Sequence, residues 1–197
     1  MPPGERERLI ADVLEQLGEM TAIITELMEL ARGEQHVGEP EDVRLDLVTE
    51  AAVQRVGRNR PGVTFETDLH ESPMRGVPST LERAIGNLLD NAAKWSPRGG
   101  TVEVRVHDGE LTVRDRGPGI PAEDRGHIFD RFYRADAARG RPGSGLGLAI
   151  VRQVAESHGG GVTVEAAPGG GALFRLRLPV EETLTAPSRR SQESGVE

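Results

Sequence analysis

The order of apolar and polar residues divides the chain into a helical N-terminal part and a longer mixed part. Residues 5–31 carry a mostly apolar stripe whose members lie alternately four and three positions apart: Ile10, Leu14, Leu17, Thr21, Ile24, Met28 and Ala31. This spacing is typical of a helix packed in a bundle. Residues 1–33 are therefore predicted as one helix that docks on its own domain or pairs in a dimerising bundle. Residues 34–42 follow as a polar linker with Gly38 and Pro40.

From Val43 the pattern predicts both strands and helices. Strands are predicted at 43–45, 63–69, 74–77, 101–107, 111–115, 162–166 and 173–178, and helices at 47–56, 78–95 and 146–158. Asp108-Gly109 and the run Pro168-Gly-Gly-Gly read as hairpin turns. Strands and helices segregate rather than alternate, so the predicted class is α+β, with helices layered on one face of a sheet. Residues 120–143 lack a period and are predicted as a long loop, and the tail 181–197 as disordered.

Composition narrows the classes of function. Hydrophobic residues make up 36% of the chain and aromatic residues 3%, so the core is expected to be aliphatic. The net charge of −8 argues against a nucleic-acid partner. The absence of cysteine excludes disulfides and thiolate metal sites, and no apolar run approaches a membrane helix, so a cytoplasmic location is expected. None of the five histidines has a metal-like companion at helical spacing, and all five are expected at the surface.

The predicted helix 78–95 carries a polar stripe beside its apolar one. At about 100° per residue, Asn87, Asn91, Lys94 and Trp95 fall within one arc next to the core-facing residues. Such a stripe suits a helix at the rim of a cleft. Asparagine oxygens can bind a Mg²⁺ ion held mainly by phosphates and water, and a lysine can neutralise a phosphate. The alternative is a solvated polar face with one buried Trp.

Two glycine clusters follow, with aromatic residues between them. Asp115 ends a predicted strand before Gly117-Pro-Gly119, where its carboxylate could accept from the amine of adenine; an ordinary turn is the alternative. The segment from Gly143 to Gly147 opens a helix, whose free backbone donors suit phosphate oxygens; a flexible linker is the alternative. The stretch Ile-Phe-Asp-Arg-Phe-Tyr-Arg at 128–134 places three aromatics in a polar loop, which suits a mobile lid.

These four signals, in this order, resemble the ATP-binding domain of bacterial sensor histidine kinases. The resemblance covers roughly residues 45–179. It implies the Bergerat-type fold of that ATPase superfamily: a two-layer α/β sandwich whose mixed sheet is covered on one face by helices. It also implies ATP and Mg²⁺ as ligands, a catalytic domain at 43–180 and a lid at 120–147.

The resemblance also assigns roles to residues. Asn87 and Asn91 would hold Mg²⁺, and Asp115 would bind the adenine amine. Phe129 and Phe132 would anchor the lid. The full set of nucleotide-binding residues that it implies is Asn87, Asn91, Lys94, Trp95, Asp115, Gly117, Gly119, Ile120, Arg131, Phe132, Arg134, Gly143, Ser144, Gly145, Leu146 and Gly147.

The chain departs from the family pattern in one respect. The family's phosphoacceptor His, followed by an acidic residue and then Thr-Pro, has no counterpart in this sequence. Residues 1–33 look like the second helix of the family's dimerisation hairpin, so the catalytic set is expected to be incomplete. We expect a C-terminal portion of a homodimeric, membrane-anchored kinase. Its partners would be the phosphoacceptor helix of that kinase and the receiver domain of a response regulator.

Two other functions compete with the kinase. ATP-hydrolysing relatives carry a Glu four residues before the Mg²⁺-binding Asn, where it acts as the base for water. This chain has Asn87 there, which cannot take a proton. The other competitor is a nucleotide-sensing or dimerisation module without kinase activity. Its pocket residues would be expected to have decayed, whereas all four signals are intact.

Overall fold

The computed structural model describes residues 38–135 and 143–180. The helix predicted at 5–31 and the tail after 180 lie outside them. The elements in the described ranges are β1 (Glu41–Arg44), α1 (Leu45–Asn59), β2 (Val63–Leu69), β3 (Pro73–Gly76), α2 (Pro78–Trp95), β4 (Gly100–His107), β5 (Glu110–Arg114), α3 (Gly147–Ser157), β6 (Gly161–Ala166) and β7 (Ala172–Arg177). None of these three helices combines the length and the apolar character needed to cross a bilayer.

Five strands form a mixed sheet in the order β2-β4-β5-β7-β6. β2 runs parallel to β4, and the other neighbours are antiparallel. β1 and β3 form a separate antiparallel ribbon. The pairing of Arg114 with Leu173 brings the end of β5 beside the start of β7. The predicted α+β class is confirmed, and so is the mixed sheet.

The helices cover only one face of the sheet. Alternate side chains of β4 and β7, such as Val104 and Phe174, are fully buried together with Leu81 and Leu88 of α2. The opposite face is polar and cross-linked by ion pairs: Glu103 with Arg114 and Arg116, and Glu110 with Arg175 and Arg177. A period of two in the strands and 3.6 in the helices produces this two-layer arrangement.

The predicted elements are confirmed with small shifts at their ends. Asp108 and Gly109 both have positive φ, of 46° and 74°, as a two-residue hairpin turn of type I′ requires. β1 begins at Glu41, inside the predicted linker, because it pairs with β3. α1 begins at Leu45 rather than Leu47. These differences arise from contacts between distant segments.

The expectation that the histidines lie on the surface is wrong at His158. His70, His107 and His127 are exposed, and His36 lies outside the described residues. His158 is half-buried: its Nε2 accepts from the backbone N–H of Val77 at 3.1 Å, and its Nδ1 lies 2.8 Å from the Val154 carbonyl oxygen. These bonds require a neutral ring with the proton on Nδ1. His158 therefore ties the end of α3 to the start of α2.

Asp46 fixes the start of α1. Its carboxylate accepts two bonds from the Arg44 guanidinium, at 2.9 and 2.8 Å, and one from the backbone N–H of Ser72 at 3.1 Å. Its side chain is only 9% exposed. The Arg44 hydrogen bonds, helped by the Ser72 N–H, lower the pKa of Asp46 below its usual value although burial opposes the shift. Asp46 thus joins the β1–α1 junction to the segment before β3.

We expect Asp46→Asn to lower the free energy of unfolding by about 1–3 kcal/mol at pH 7, the range for a buried hydrogen bond to a charged group. A lowered folded-state pKa stabilises the fold above the unfolded pKa, and this stabilisation is lost as pH falls through the folded pKa. The difference between variant and wild type should therefore shrink on acidification below about pH 4. Urea unfolding from pH 2.5 to 7 measures it. The exposed Asp42→Asn is the control, and a difference independent of pH would contradict the assignment.

Candidate functional site

One deep cleft of about 730 Å³ lies between α2, the end of β5, the β6–β7 turn and the loop that precedes α3. This size fits a ligand as large as a nucleotide. Its lining comprises Arg60, Asn87, Asp90, Asn91, Lys94, Trp95, Asp115, Pro118, Gly119, Ile120, Pro121, Arg125, Ile128, Tyr133, Arg134, Ala135, Gly143, Ser144, Gly145, Gly147, Leu148, Ala166, Ala167, Gly170, Gly171 and Ala172.

α2 supplies one wall through its polar stripe. Asn87 donates from Nδ2 to the carbonyl of Gly147 at 3.2 Å, and its Oδ1 has no donor among the described residues. The Asn91 amide makes no hydrogen bond to any residue within 38–135 and 143–180. Lys94 places Nζ 5.8 Å from the centroid of the Trp95 ring, close enough for a cation–π contact. Two amide oxygens and an ammonium group therefore border the cleft on one helix face.

Asp115 is the most buried polar side chain of the cleft lining. It is 2% exposed, and its Oδ1 accepts from the backbone N–H groups of Gly117 at 2.9 Å and Ala172 at 3.0 Å. Its other oxygen, Oδ2, has no donor among the described residues. Burial raises the pKa of Asp115, and the two backbone bonds oppose that shift. A ligand N–H group that reaches Oδ2 would satisfy a buried acceptor.

Glycines let three backbone segments meet around Asp115. A Cβ on Gly171, whose φ is +89°, would overlap the carbonyl oxygen of Asp115. A Cβ on Gly117 would stand 2.8 Å from the Trp95 carbonyl oxygen, and one on Gly119 would stand 3.2 Å from that of Gly171. The β6–β7 turn, the loop after β5 and the end of α2 therefore touch through backbone atoms.

The loop after Gly119 packs on the domain instead of standing free. Phe129 is buried and meets Phe174 edge-on, with ring centroids 6.4 Å apart. Tyr133 donates from its hydroxyl to Asp124 at 2.5 Å. The N–H of Phe132 donates to the carbonyl of Gly145 at 3.1 Å, which joins this loop to the glycine segment before α3. Residues 136–142 of the predicted lid lie outside the described residues.

Most of the predicted nucleotide-binding residues line the cleft together. Those that do are Asn87, Asn91, Lys94, Trp95, Asp115, Gly119, Ile120, Arg134, Gly143, Ser144, Gly145 and Gly147. Four predicted residues, Gly117, Arg131, Phe132 and Leu146, are not part of the lining.

The structure gives three of these four residues other surroundings. Gly117 points its N–H at Asp115, and the fully buried Leu146 donates its own N–H to Ser144 Oγ at 3.1 Å. Phe132 is 55% exposed with φ +65°, so the expectation that it anchors the loop is not met. Arg131 is exposed. Some residues of the four motifs therefore serve the packing of the domain, and others line the cleft.

One complete wall of the cleft and several of its charged residues lie outside the sequence motifs. The wall is the β6–β7 turn with Ala166, Ala167, Gly170, Gly171 and Ala172, and the charged residues are Arg60, Asp90 and Arg125. The Gly-rich turn was visible in the sequence, but only the pairing of β5 with β7 places it against Asp115.

Comparison with known proteins identifies the domain. The family described as histidine kinase-, DNA gyrase B- and HSP90-like ATPase matches residues 76–182. A solved structure of the mycobacterial sensor histidine kinase MprB is 42% identical, with a TM-score of 0.65, over 72% of this chain and 98% of that one. The chain belongs to the sensor histidine kinase branch of this ATPase family.

Other relatives agree with this assignment. The signal transduction histidine-protein kinase/phosphatase MprB of Mycolicibacterium smegmatis is 43% identical to this chain over 100% of its length. The ATP binding domain of PrrB from Mycobacterium tuberculosis is 27% identical, with a TM-score of 0.60, over 74% of this chain and 100% of that one. The chain spans 42% of the length of the M. smegmatis relative.

The glycine contacts at the cleft floor generate a stability prediction. Gly171→Ala should combine the strain of a positive φ with an overlap on Asp115, whereas Gly170→Ala, at φ +102° with open space around it, should add strain alone. We expect a loss of about 1–2 kcal/mol for Gly170→Ala and at least about 2 kcal/mol more for Gly171→Ala. Urea unfolding of the two variants measures the difference. Equal losses would show that the close approach at Gly171 is unimportant.

Proposed function

We propose that this domain binds ATP with Mg²⁺ in the cleft and presents the γ-phosphoryl group to a histidine of a phosphoacceptor helix. The observation that carries the proposal is the buried Asp115 carboxylate, whose Oδ2 has no donor among the described residues. It lies in the same cleft as the asparagine and lysine side chains of α2. One end of this cleft suits an amine-bearing base, and the other suits a phosphate chain with its cation.

The base end is built by Asp115, Gly119, Ile120 and the β6–β7 turn. An exocyclic adenine amine can donate to Oδ2, while the backbone around the glycines leaves room for a flat ring. Guanine presents a carbonyl oxygen at the corresponding position, and a carboxylate would repel it. This difference supports selection of adenine over guanine.

Cations and amides border the cleft as well. Its lining includes Arg60, Lys94, Arg125 and Arg134, although the chain as a whole carries −8. A local excess of positive charge in an acidic protein supports a polyanionic ligand. Asn91 and Asn87 would hold Mg²⁺ through their Oδ1 atoms, because amide oxygens suit an ion that is bound mainly by phosphates and water. The ion would neutralise the charge on the phosphates.

The residue types also indicate what receives the phosphoryl group. Asn87 stands four residues before Asn91 and cannot take a proton from water, which supports transfer to a protein nucleophile instead of hydrolysis. The γ-phosphorus–oxygen bond breaks as a phosphorus–nitrogen bond to the imidazole forms, and ADP leaves. The domain's contribution is to position the nucleotide and screen its charge. The phosphoryl group would pass from the histidine to an Asp of a response regulator, in a cytoplasmic part of a membrane-anchored homodimer.

We expect Asp115→Asn to weaken the binding of ATP and of adenosine by a similar factor, about tenfold or more. The amide carries no charge, and its –NH₂ group cannot accept a hydrogen bond from the adenine amine. Tripolyphosphate, which lacks the base, should bind as in the wild type. Calorimetric titration of the full chain measures all three ligands, with Asp108→Asn, in an exposed turn that tolerates Asn, as the control. An equal loss for tripolyphosphate and ATP would contradict the base contact.

Asn91→Ala should remove the effect of Mg²⁺ on nucleotide binding. In the wild type, Mg²⁺ should strengthen ATP binding, whereas ATP should bind the variant equally with and without the ion, because the amide ligand is gone. Titrations in Mg²⁺ and in a chelator measure this ratio, and the exposed Asn59→Ala is the control. An unchanged ratio in Asn91→Ala would exclude Asn91 as a ligand.

A further inference from the structure

We propose that Arg60, which lies outside all four sequence motifs, binds the phosphate chain of the nucleotide. The inference rests on the proposed function and extends it to a residue that the motifs do not include. Arg60 is the first residue after α1, and its backbone N–H caps that helix by donating to Val56 at 2.9 Å. Its side chain reaches the cleft lining from there. The backbone that carries the guanidinium is therefore fixed.

The polar contacts of Arg60 leave most of its guanidinium available. Nε lies 3.4 Å from Oδ1 of Asp90, which is its sole side-chain hydrogen bond to the described residues. Neither terminal nitrogen, Nη1 or Nη2, has an acceptor there. The Asp90 contact orients the side chain through Nε, so the Nη1 and Nη2 donors remain unpaired at the cleft. Such a fork matches two oxygens of a phosphate.

The position of Asp90 on α2 places this guanidinium beside the face that carries Lys94. Asp90 precedes Lys94 by four residues, so the two side chains project from one helix face a turn apart. Arg60 is therefore held by a residue of the helix face that carries Lys94, the residue to which the proposed function assigns the phosphates.

Arg55 and Arg58, the arginines of α1 closest to Arg60 in sequence, do not offer the same fork at the cleft. Arg55 pairs with Glu82 on the outer side of α2, and its Nη2 stands 2.8 Å from a Cβ position on Gly86. Arg58, one turn from Arg55, is exposed and is not part of the lining. Arg60 differs from both because it borders the cleft and its terminal nitrogens have no acceptor in the part of the chain that the structure describes. Arg58 carries the same charge two residues away, at the end of α1, and therefore serves as the matched control.

The test is calorimetric titration of the full chain, wild type and the variants Arg60→Gln, Arg60→Lys and Arg58→Gln, with ATP, ADP and adenosine. We expect Arg60→Gln to weaken ATP and ADP about 3- to 10-fold, since the side chain is 47% exposed and solvent moderates a charge-assisted bond. Adenosine should bind all variants within twofold of the wild type. Arg60→Lys, which keeps the charge without the fork, should fall between wild type and Arg60→Gln, and Arg58→Gln should match the wild type.

Wild-type affinity of Arg60→Gln for ATP would overturn the inference and leave the proposed function standing. So would a loss for adenosine as large as that for ATP, which would show a contact to the base or a general effect on the domain. A comparable loss for Arg58→Gln would attribute the effect to net charge. If the wild type itself binds none of the three ligands, the proposed function fails first, and the role of Arg60 fails with it.

Discussion

The cleft depends on one buried carboxylate oxygen. Oδ1 of Asp115 holds the N–H of Gly117 and the N–H of Ala172 at about the same length, so the loop after β5 and the start of β7 share one acceptor inside the protein. A buried ionised carboxylate is unfavourable without such bonds, and burial does raise the pKa of Asp115. The two donors offset that penalty, and they also aim the second oxygen at the cleft. The bonds that close the structure at this point therefore leave Oδ2 as the acceptor to which the proposed adenine amine would donate.

The parts of the fold that sequence alone predicted are those decided within a few residues. Alternating burial in β4, the 3.6-residue period of α2 and the Asp108-Gly109 turn each follow from local rules, and the structure confirms them. The first two residues of β1, Glu41 and Asp42, fall in the predicted linker because their exposed polar side chains carry no strand pattern; pairing with β3 makes them part of the strand. The surface position predicted for His158 is wrong because its hydrogen-bond partner, the Val77 N–H, lies 81 positions away along the chain.

In the candidate site too, features set by one element could be predicted from the sequence, whereas features set by contacts between distant segments could not. Side chains that project from a single element, such as Asn91 and Lys94 on α2, were recoverable because one helix face brings them together. The β6–β7 wall and Arg60 were not, since they reach the cleft through strand order and the position of α1. The motifs also over-predicted: Leu146 lies in the core, and Gly117 allows close packing under Trp95. A motif records every residue that a local geometry needs, and only some of these line the cleft.

The segment 143–147 is the shared border of the two sides of the cleft. Its Gly147 carbonyl accepts from Asn87 on α2, and its Gly145 carbonyl accepts from Phe132 in the opposite loop. Phe132 is the residue in that loop held at a positive φ, a conformation that costs about 1–2 kcal/mol for a side chain with a Cβ. A Cβ on Gly145 would stand 2.9 Å from the Phe132 carbonyl carbon, so the strained residue and the glycine are packed backbone to backbone. Because strain of this kind persists only where surrounding contacts hold it, the Gly145–Phe132 contact links the position of the aromatic loop to the helix that carries the asparagines.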